Sequence, residues 1–236
     1  MFTLFFVEDL PTTVGSHYEF ANEDANHAIR VLRMQAGAEF MLSDGKGTWS
    51  QVKAIDVFKK SMQVKVIDSG YQEALATTIT VVQALPKGDR AKEAIELLTE
   101  SGVDRIVPWV ASRSIGKGTD KFAITAREAS KQSRRFRIPE VTEIATTSQI
   151  CEAIKLSDLA IVFHESATQK LSDQVSSHNV QTLLIIIGPE GGITDEELAA
   201  FEAAGAKVAL MGRPILRSAH AGIAAVSAVS ALLKVW

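Results

Sequence analysis

Cysteine is nearly missing from this 236-residue chain: Cys151 is the only one, so no intrachain disulfide can form. No Cys-X-X-Cys or His-X-His spacing surrounds it. A lone cysteine of this kind reads as a small buried hydrophobe, and no metal site is expected. Long apolar runs are lacking too. The opening Met1-Phe2-Thr3-Leu4-Phe5-Phe6-Val7 is short, has no basic flank and runs straight into Glu8 and Asp9, which argues against a secretory signal. The apolar tail from Ala221 is rich in small residues and interrupted by Ser227, Ser230 and Lys234, so no membrane span is expected there. The expected location is the cytoplasm. Internal repeats and low-complexity tracts are absent. What remains is an ordinary globular composition, 46% hydrophobic and 22% charged, with enough length to bury a core unaided.

Nor does one sign of charge dominate, since the formal net charge is −3. That total argues weakly against a nucleic-acid partner, but the distribution is uneven. Residues 83–140 hold 12 Lys/Arg against 8 Asp/Glu, whereas residues 141–236 hold 6 against 10. The densest positive point is Lys131, Arg134, Arg135 and Arg137. Two readings of it stand equal: a solvated helix end favoured by the helix dipole, or a phosphate-contacting surface.

Residues 1 to about 70 read mainly as short strands. Phe40-Met41-Leu42-Ser43 and Thr48-Trp49-Ser50-Gln51-Val52 flank a Gly-containing turn, a hairpin pattern. Met62-Gln63-Val64-Lys65-Val66-Ile67 alternates with period two. One helix interrupts them, capped by Asn22 or Asp24 and running to Gly37. A small barrel is expected over 1–72, with a linker near residues 69–77. From about residue 78 the pattern becomes strand–helix alternation, the mark of a parallel α/β sheet over 73–236. Strands are expected at 79–82, 105–110, 158–163, 182–187 and 207–211. Helices are expected at 89–101, 121–135, 166–177, 194–204 and 218–235. The run Thr182 to Ile187 is continuously apolar, as in a strand buried on both faces.

Two loops follow strands and stand out, because open parallel sheets bind ligands where loops leave the carboxyl ends of strands. The first is Ile187-Gly188-Pro189-Glu190-Gly191-Gly192-Ile193, leading into a helix whose start is marked by a Thr194/Glu197 capping box. Its glycines let backbone approach a ligand closely. It is neither a P-loop nor a G-x-G-x-x-G fingerprint, and Glu190 would repel a phosphate. A neutral heterocycle or a cationic group suits it better. The second is Leu210-Met211-Gly212-Arg213-Pro214-Ile215-Leu216-Arg217, with Ser218 as the expected N-cap of the last helix. Arg217 is either a structural ion-pair partner or a functional group. The two turns are expected at neighbouring strand tips.

An ordered set of segments resembles the RsmE-type 16S rRNA (uracil-N3)-methyltransferases of the SPOUT, or trefoil-knot, superfamily. It comprises Gln83-Ala84-Leu85-Pro86-Lys87-Gly88-Asp89-Arg90, the run from Thr99 to Pro108, Ser112-Arg113-Ser114, the run from Glu128 to Arg135 with Pro139, Ile187 to Gly192, and Ile215-Leu216-Arg217. His27-Ala28-Ile29-Arg30-Val31-Leu32-Arg33 adds a match near the N-terminus. The set spans essentially the whole chain. The chain departs from the family pattern in two places. Ser218-Ala219-His220-Ala221 stands where the family usually has Thr-Glu-Thr-Ala, and Arg213-Pro214 reverses the usual order.

The resemblance implies a PUA-like β-barrel followed by a SPOUT α/β domain whose last segment is threaded into a deep trefoil knot, a rare exception to ordinary chain-path rules. It implies S-adenosylmethionine as cofactor, held by His164, Ile187, Gly188, Glu190, Gly191, Gly192, Leu210, Met211, Gly212, Ile215 and Leu216. It also implies a homodimer acting on 16S ribosomal RNA, in a small-subunit particle. Arg217 is the expected catalytic group, stabilising charge that spreads over the uracil carbonyls as N3 loses its proton. Glu190 and His220 are alternative bases. Arg30 and Arg33, a helical turn apart, would grip phosphates, with Lys87, Arg90, Arg113, Arg134 and Arg135 extending the track. Two rival readings remain: a non-catalytic RNA-binding protein that keeps the fold, and an α/β enzyme acting on a small metabolite.

Overall fold

The computed structural model describes residues 2–116, 118–175 and 179–235. The chain divides into two compact units: Met1–Ala74 with Ser130–Ile138, and Leu75–Ala129 with Pro139–Trp236.

The first unit is built on β1 (Leu4–Phe6), β2 (His17–Phe20), α1 (Glu23–Arg30), β3 (Glu39–Ser43), β4 (Thr48–Val57) and β5 (Met62–Tyr71). The strands form one sheet in the order β1-β3-β4-β5-β2, antiparallel except where β1 lies beside β3. Period two sets its faces: Met62, Val64 and Val66 of β5 are buried while Lys65 and Ile67 are exposed. Within the apolar opening of the chain, Leu4, Phe5 and Phe6 of β1 are core, all buried, whereas Phe2 is exposed. The rings of Phe5, Phe20 and Phe40 meet at centroid distances of 5.4 to 5.6 Å. Burying each contributes roughly 1.5–3 kcal/mol.

The expected β3–β4 hairpin forms, and Asp44 closes its turn by accepting the Lys46 and Thr48 N–H groups at 2.7 and 3.1 Å. A distant segment docks on that turn. The Phe136 ring stacks on Trp49 at 5.8 Å, and its carbonyl accepts the Gly47 N–H at 3.0 Å. The Arg137 guanidinium lies 5.1 Å from the Tyr71 ring centroid and donates to the Gln72 carbonyl at 2.9 Å. Gly47 has φ +112°, and a Cβ there would come within 2.6 Å of the Arg137 guanidinium. Only glycine fits that turn.

Helix α1 is capped by Asn22, whose side chain accepts the Ala25 N–H at 3.0 Å. It stops at Arg30, short of the expected Gly37. The reason is burial: Ala25 and Ala28 face the core, but Val31 and Leu32 beyond them are exposed. Arg33 then turns the chain with φ 54°. Arg30 and Arg33 therefore do not share a helix face.

The second unit contains β6 (Thr78–Ala84), α2 (Arg90–Glu100), β7 (Arg105–Trp109), α3 (Phe122–Ser133, whose last turn belongs to the first unit), β8 (Glu140–Val141) and α4 (Thr147–Lys155). It continues with β9 (Leu159–Phe163), α5 (Leu171–Gln174), β10 (Thr182–Ile187), α6 (Asp195–Ala204), β11 (Lys207–Ala209) and α7 (Ser218–Leu233). Six parallel strands run in the order β11-β9-β10-β6-β7-β8. Strand β10 is central, which is why its sequence is apolar without alternation. Ile95, Leu98 and Val226 of α2 and α7 pack on one face of the sheet. Ile150 and Phe201 of α4 and α6 pack on the other, with Trp109. Cys151 is half-buried at that second face.

The helix expected over 166–177 shrinks to Leu171–Gln174, and Ser176 and Ser177 lie outside the described residues. Helix α4 was not anticipated, although its Thr146/Gln149 capping box is written in the sequence. Among the described residues no helix is long and apolar enough to cross a membrane.

Candidate active site

Parallel strands deliver their carboxyl ends to one edge of the sheet, where loops can converge on a ligand. The two glycine-bearing turns leave β10 and β11. These strands are not neighbours, because β9 lies between them. The expectation of adjacent tips is corrected on that point. The reason is chain order: β10 was inserted between β9 and β6, and β11 was added outside β9. Both turns nevertheless border one cavity of about 530 Å³, with Phe163, His164 and Glu165 at the end of β9 filling the space between. That volume suits a small organic ligand, for which pockets of roughly 300–1,000 Å³ are usual.

The turn after β10 is clasped from several sides. Gly188 is required by packing, since a Cβ would lie 2.7 Å from Cγ1 of Ile193. The Glu190 carboxylate accepts the Lys87 N–H at 3.2 Å. The Arg113 guanidinium donates to the Gly191 carbonyl at 3.1 Å. The Thr194/Glu197 capping box forms as the sequence indicated. Glu197 does more than cap: it is buried, and its second oxygen accepts the Ser112 N–H at 2.7 Å and the Ser112 hydroxyl at 2.9 Å. The loop after β7 is thereby tied to the start of α6. The neighbouring Glu196 carboxyl is held below the usual range, first by its own backbone N–H and then by the Thr194 hydroxyl, with Arg113 adding attraction.

The turn after β11 is different. Leu210 N–H donates to the Gln169 carbonyl at 3.0 Å, but residues 212–217 are all exposed. Arg217 takes the N-cap position of α7 with no side-chain cap bond, which corrects the expected assignment of Ser218. Ser218 is instead the first helical residue, buried, with its hydroxyl donating to the Gly188 carbonyl at 2.8 Å. Arg217 lines the cavity, and among the described residues no hydrogen bond or ion pair engages its guanidinium.

Of the residues expected to hold a cofactor, His164, Ile187, Gly188, Glu190, Gly192, Leu210, Met211, Gly212, Ile215 and Leu216 line this cavity. Gly191 does not; its carbonyl faces Arg113. Arg90, expected on an RNA track, is a cavity residue as well. Lys87 and Arg113 belong to the same unit, while Arg30, Arg33, Arg134 and Arg135 belong to the other. His220 is not a lining residue; its Nε2 lies 3.1 Å from the Glu93 carboxylate. Phe163, Glu165, Pro189, Ile193 and Ala221 also line the cavity. Pro189 and Ile193 lie in the first turn without having been assigned a role, Phe163 and Glu165 flank the expected His164 at the end of β9, and Ala221 lies inside α7, where no turn marks it.

A family described as an RNA methyltransferase domain matches residues 73–230, and one described as an RNA methyltransferase PUA domain matches residues 20–67. The chain is similar to the ribosomal RNA small subunit methyltransferase E of Mycobacterium tuberculosis, 33% identical over 99% of this chain and 93% of that protein. The Bacillus subtilis protein of the same name is 28% identical over 95% and 91%. In fold, the chain matches the Neisseria gonorrhoeae ribosomal RNA small subunit methyltransferase E solved with S-adenosyl methionine. The TM-score there is 0.87, with 98% of each chain covered and 23% identity. With a methyltransferase domain matched over most of the chain and full-length similarity to curated relatives, the chain belongs to the ribosomal RNA small subunit methyltransferase E family.

Proposed function

We propose that the protein transfers a methyl group from S-adenosylmethionine to N3 of one uridine in 16S ribosomal RNA. The observation that carries this reading is the single cavity bounded by both glycine-bearing turns with Arg217 in its lining, in a chain of this family. The cavity's residues fit the cofactor. Ile187, Ile193, Leu210 and Met211 offer apolar walls for a heterocycle, and Glu190 offers a carboxylate to a cationic ligand. The Neisseria gonorrhoeae relative bound to S-adenosyl methionine supports the same assignment. Bound there, the cofactor supplies a methyl group activated by its sulfonium.

The chain's own residues align the base and manage its charge. N3 of uracil carries a proton whose loss spreads negative charge over two carbonyl oxygens. The Arg217 guanidinium, unspent on any described partner, stabilises that charge. Of the two alternative bases, Glu190 lines the cavity whereas His220 is engaged by Glu93 outside it, so Glu190 is the proton acceptor. The uridine must be unpaired, because N3 is buried in a Watson–Crick pair. Residues 1–72, with the docked 130–138 segment, hold RNA, and residues 73–236 carry out transfer. Arg30, Arg33, Lys87, Arg90, Arg113, Arg134 and Arg135 supply phosphate contacts. The protein works as a cytoplasmic homodimer on small-subunit particles, and its last segment is threaded into a trefoil knot.

The test is to incubate the protein with unmodified small-subunit particles and labelled S-adenosylmethionine, then map the label. Label at N3 of a single uridine is the expected result. Label on another base or another atom, or none with the cofactor bound, overturns the proposal.

A further inference from the structure

Helix α7 begins at Ser218 without a side-chain cap. A serine at the N-cap gives its oxygen to a free backbone N–H of the first turn, but Ser218 stands one residue further in, after the N-cap Arg217. Here the hydroxyl turns the other way. It donates to the Gly188 carbonyl at 2.8 Å and accepts from Nε2 of Gln83 at 3.0 Å. Gln83 is fully buried near the end of β6, directly opposite Ile187 of β10 in register. Its Nε2 also donates to the Ala84 carbonyl at 3.0 Å, while its Oε1 finds no partner among the described residues. An orphaned buried amide oxygen is costly. The side chain keeps that orientation for what its NH₂ group does. One turn along α7, a Cβ at Gly222 would come within 2.8 Å of Leu98 on α2 and make only an ordinary 3.5 Å contact with Gln83 Oε1, so glycine lets α7 sit this close to α2.

We infer that Gln83 and Ser218 form a positioning relay for Arg217, an inference that rests on the methyl-transfer reading above. Residues 212–217 are exposed and Ser218 is the first buried residue after them. Arg217 is therefore the last residue before the exposed turn is anchored inward. One hydroxyl ties that anchor to the β6 end through Gln83 and to the first residue of the other turn through Gly188. The position of the guanidinium is set against the cavity wall by this oxygen, not by the exposed turn. Gln83 does not line the cavity; Ser218 does, but its hydroxyl is spent on Gly188 and Gln83, so both act through Arg217.

The experiment compares Ser218→Ala, Ser218→Thr and the double variant Gln83→Met/Ser218→Ala with the parent protein. Ser218→Ala should lower kcat about tenfold or more, since displacements near 1 Å can cost ~100-fold in rate. Calorimetry should show S-adenosylmethionine affinity changed less than about threefold. Ser218→Thr, which keeps the hydroxyl, should restore kcat to within about threefold. Adding Gln83→Met to Ser218→Ala should cost less than about twofold more, because members of one network are not additive. Without any substrate, hydrogen–deuterium exchange of residues 210–217 should quicken in Ser218→Ala while β10 and α2 stay protected. The relay is overturned if Ser218→Ala matches the parent in turnover and exchange, if threonine fails as badly as alanine, or if affinity falls in step with kcat. A parent protein that does not methylate small-subunit particles defeats the methyl-transfer reading, and exchange then decides the relay. If Gln83→Met does not fold, the two single Ser218 variants decide it.

Discussion

The two glycine-bearing turns border the same cavity but are held in opposite ways. The turn after β10 is clasped by Lys87, by Arg113 and by the buried Glu197, which accepts from the exposed Ser112. The turn after β11 is exposed from residue 212 to 217, and its inward hydrogen bonds come at Leu210 and Ser218. The first is a preformed wall; the second carries Arg217, whose guanidinium has no partner among the described residues. The division is physically sensible. On the proposed function, a cofactor site gains affinity when its wall needs no ordering on binding, whereas the side that would admit an RNA base must leave room.

The largest expected effect breaks the second turn's chemistry. Arg217→Ala should lower kcat by ~100-fold or more, the range for removing one charge-stabilising donor, with S-adenosylmethionine affinity within about threefold by calorimetry. Parallel loss of both would make Arg217 a binding residue instead. Next comes the first turn's clasp. Glu197→Ala leaves the Ser112 N–H and the Thr194 N–H without their acceptor. It should cost about 1–3 kcal/mol of stability, read by denaturant unfolding, and weaken cofactor binding as well. A melting curve unchanged from the parent would remove the clasp from the argument.

The glycines themselves sharpen the contrast. Gly188→Ala forces Ile193 aside and should cost about 1–3 kcal/mol, as overpacking does. Gly212→Ala meets nothing nearer than 4.0 Å and should leave melting within a degree or so of the parent. Equal effects at the two positions would mean the turns are held alike. The smallest effect lies at the opposite edge of the sheet. Asp158 is held below the usual carboxylate range, first by the Thr182 hydroxyl and then by the backbone N–H groups of Thr182 and Gln181. Because its folded value is depressed, its contribution is present above the unfolded value and is lost as pH falls through the folded one. Asp158→Asn should therefore lower the melting temperature at neutral pH, with the gap closing as the pH falls below the usual carboxylate range, and cofactor affinity should not move. A gap that widens in acid would contradict the sign.

The basic segment 130–138 shows where legibility ended. The sequence left Lys131, Arg134, Arg135 and Arg137 balanced between structure and phosphate contact. The fold gives two of them structural partners: Lys131 pairs with Asp24 at 2.7 Å and Arg137 is spent on Tyr71 and Gln72. Those partners lie more than sixty residues away in sequence, so no local pattern reports them. The expected continuation of α1 beyond Arg30 to Gly37 failed for a related reason. Its apolar spacing was read correctly, but whether Val31 and Leu32 would find a core depended on the strands packed beneath α1.

Local chemistry was enough to mark the parallel sheet, the central strand at 182–187, the capping box at Thr194 and the two glycine-bearing turns. Each of these depends on neighbours only a few residues apart. Strand order was not local: it put β9 between the two turns, drew Phe163 and Glu165 into the cavity and turned the Ser218 hydroxyl from its own helix toward Gly188. A side chain's partner is chosen by everything within reach in space, and reach in space is what a linear pattern does not encode.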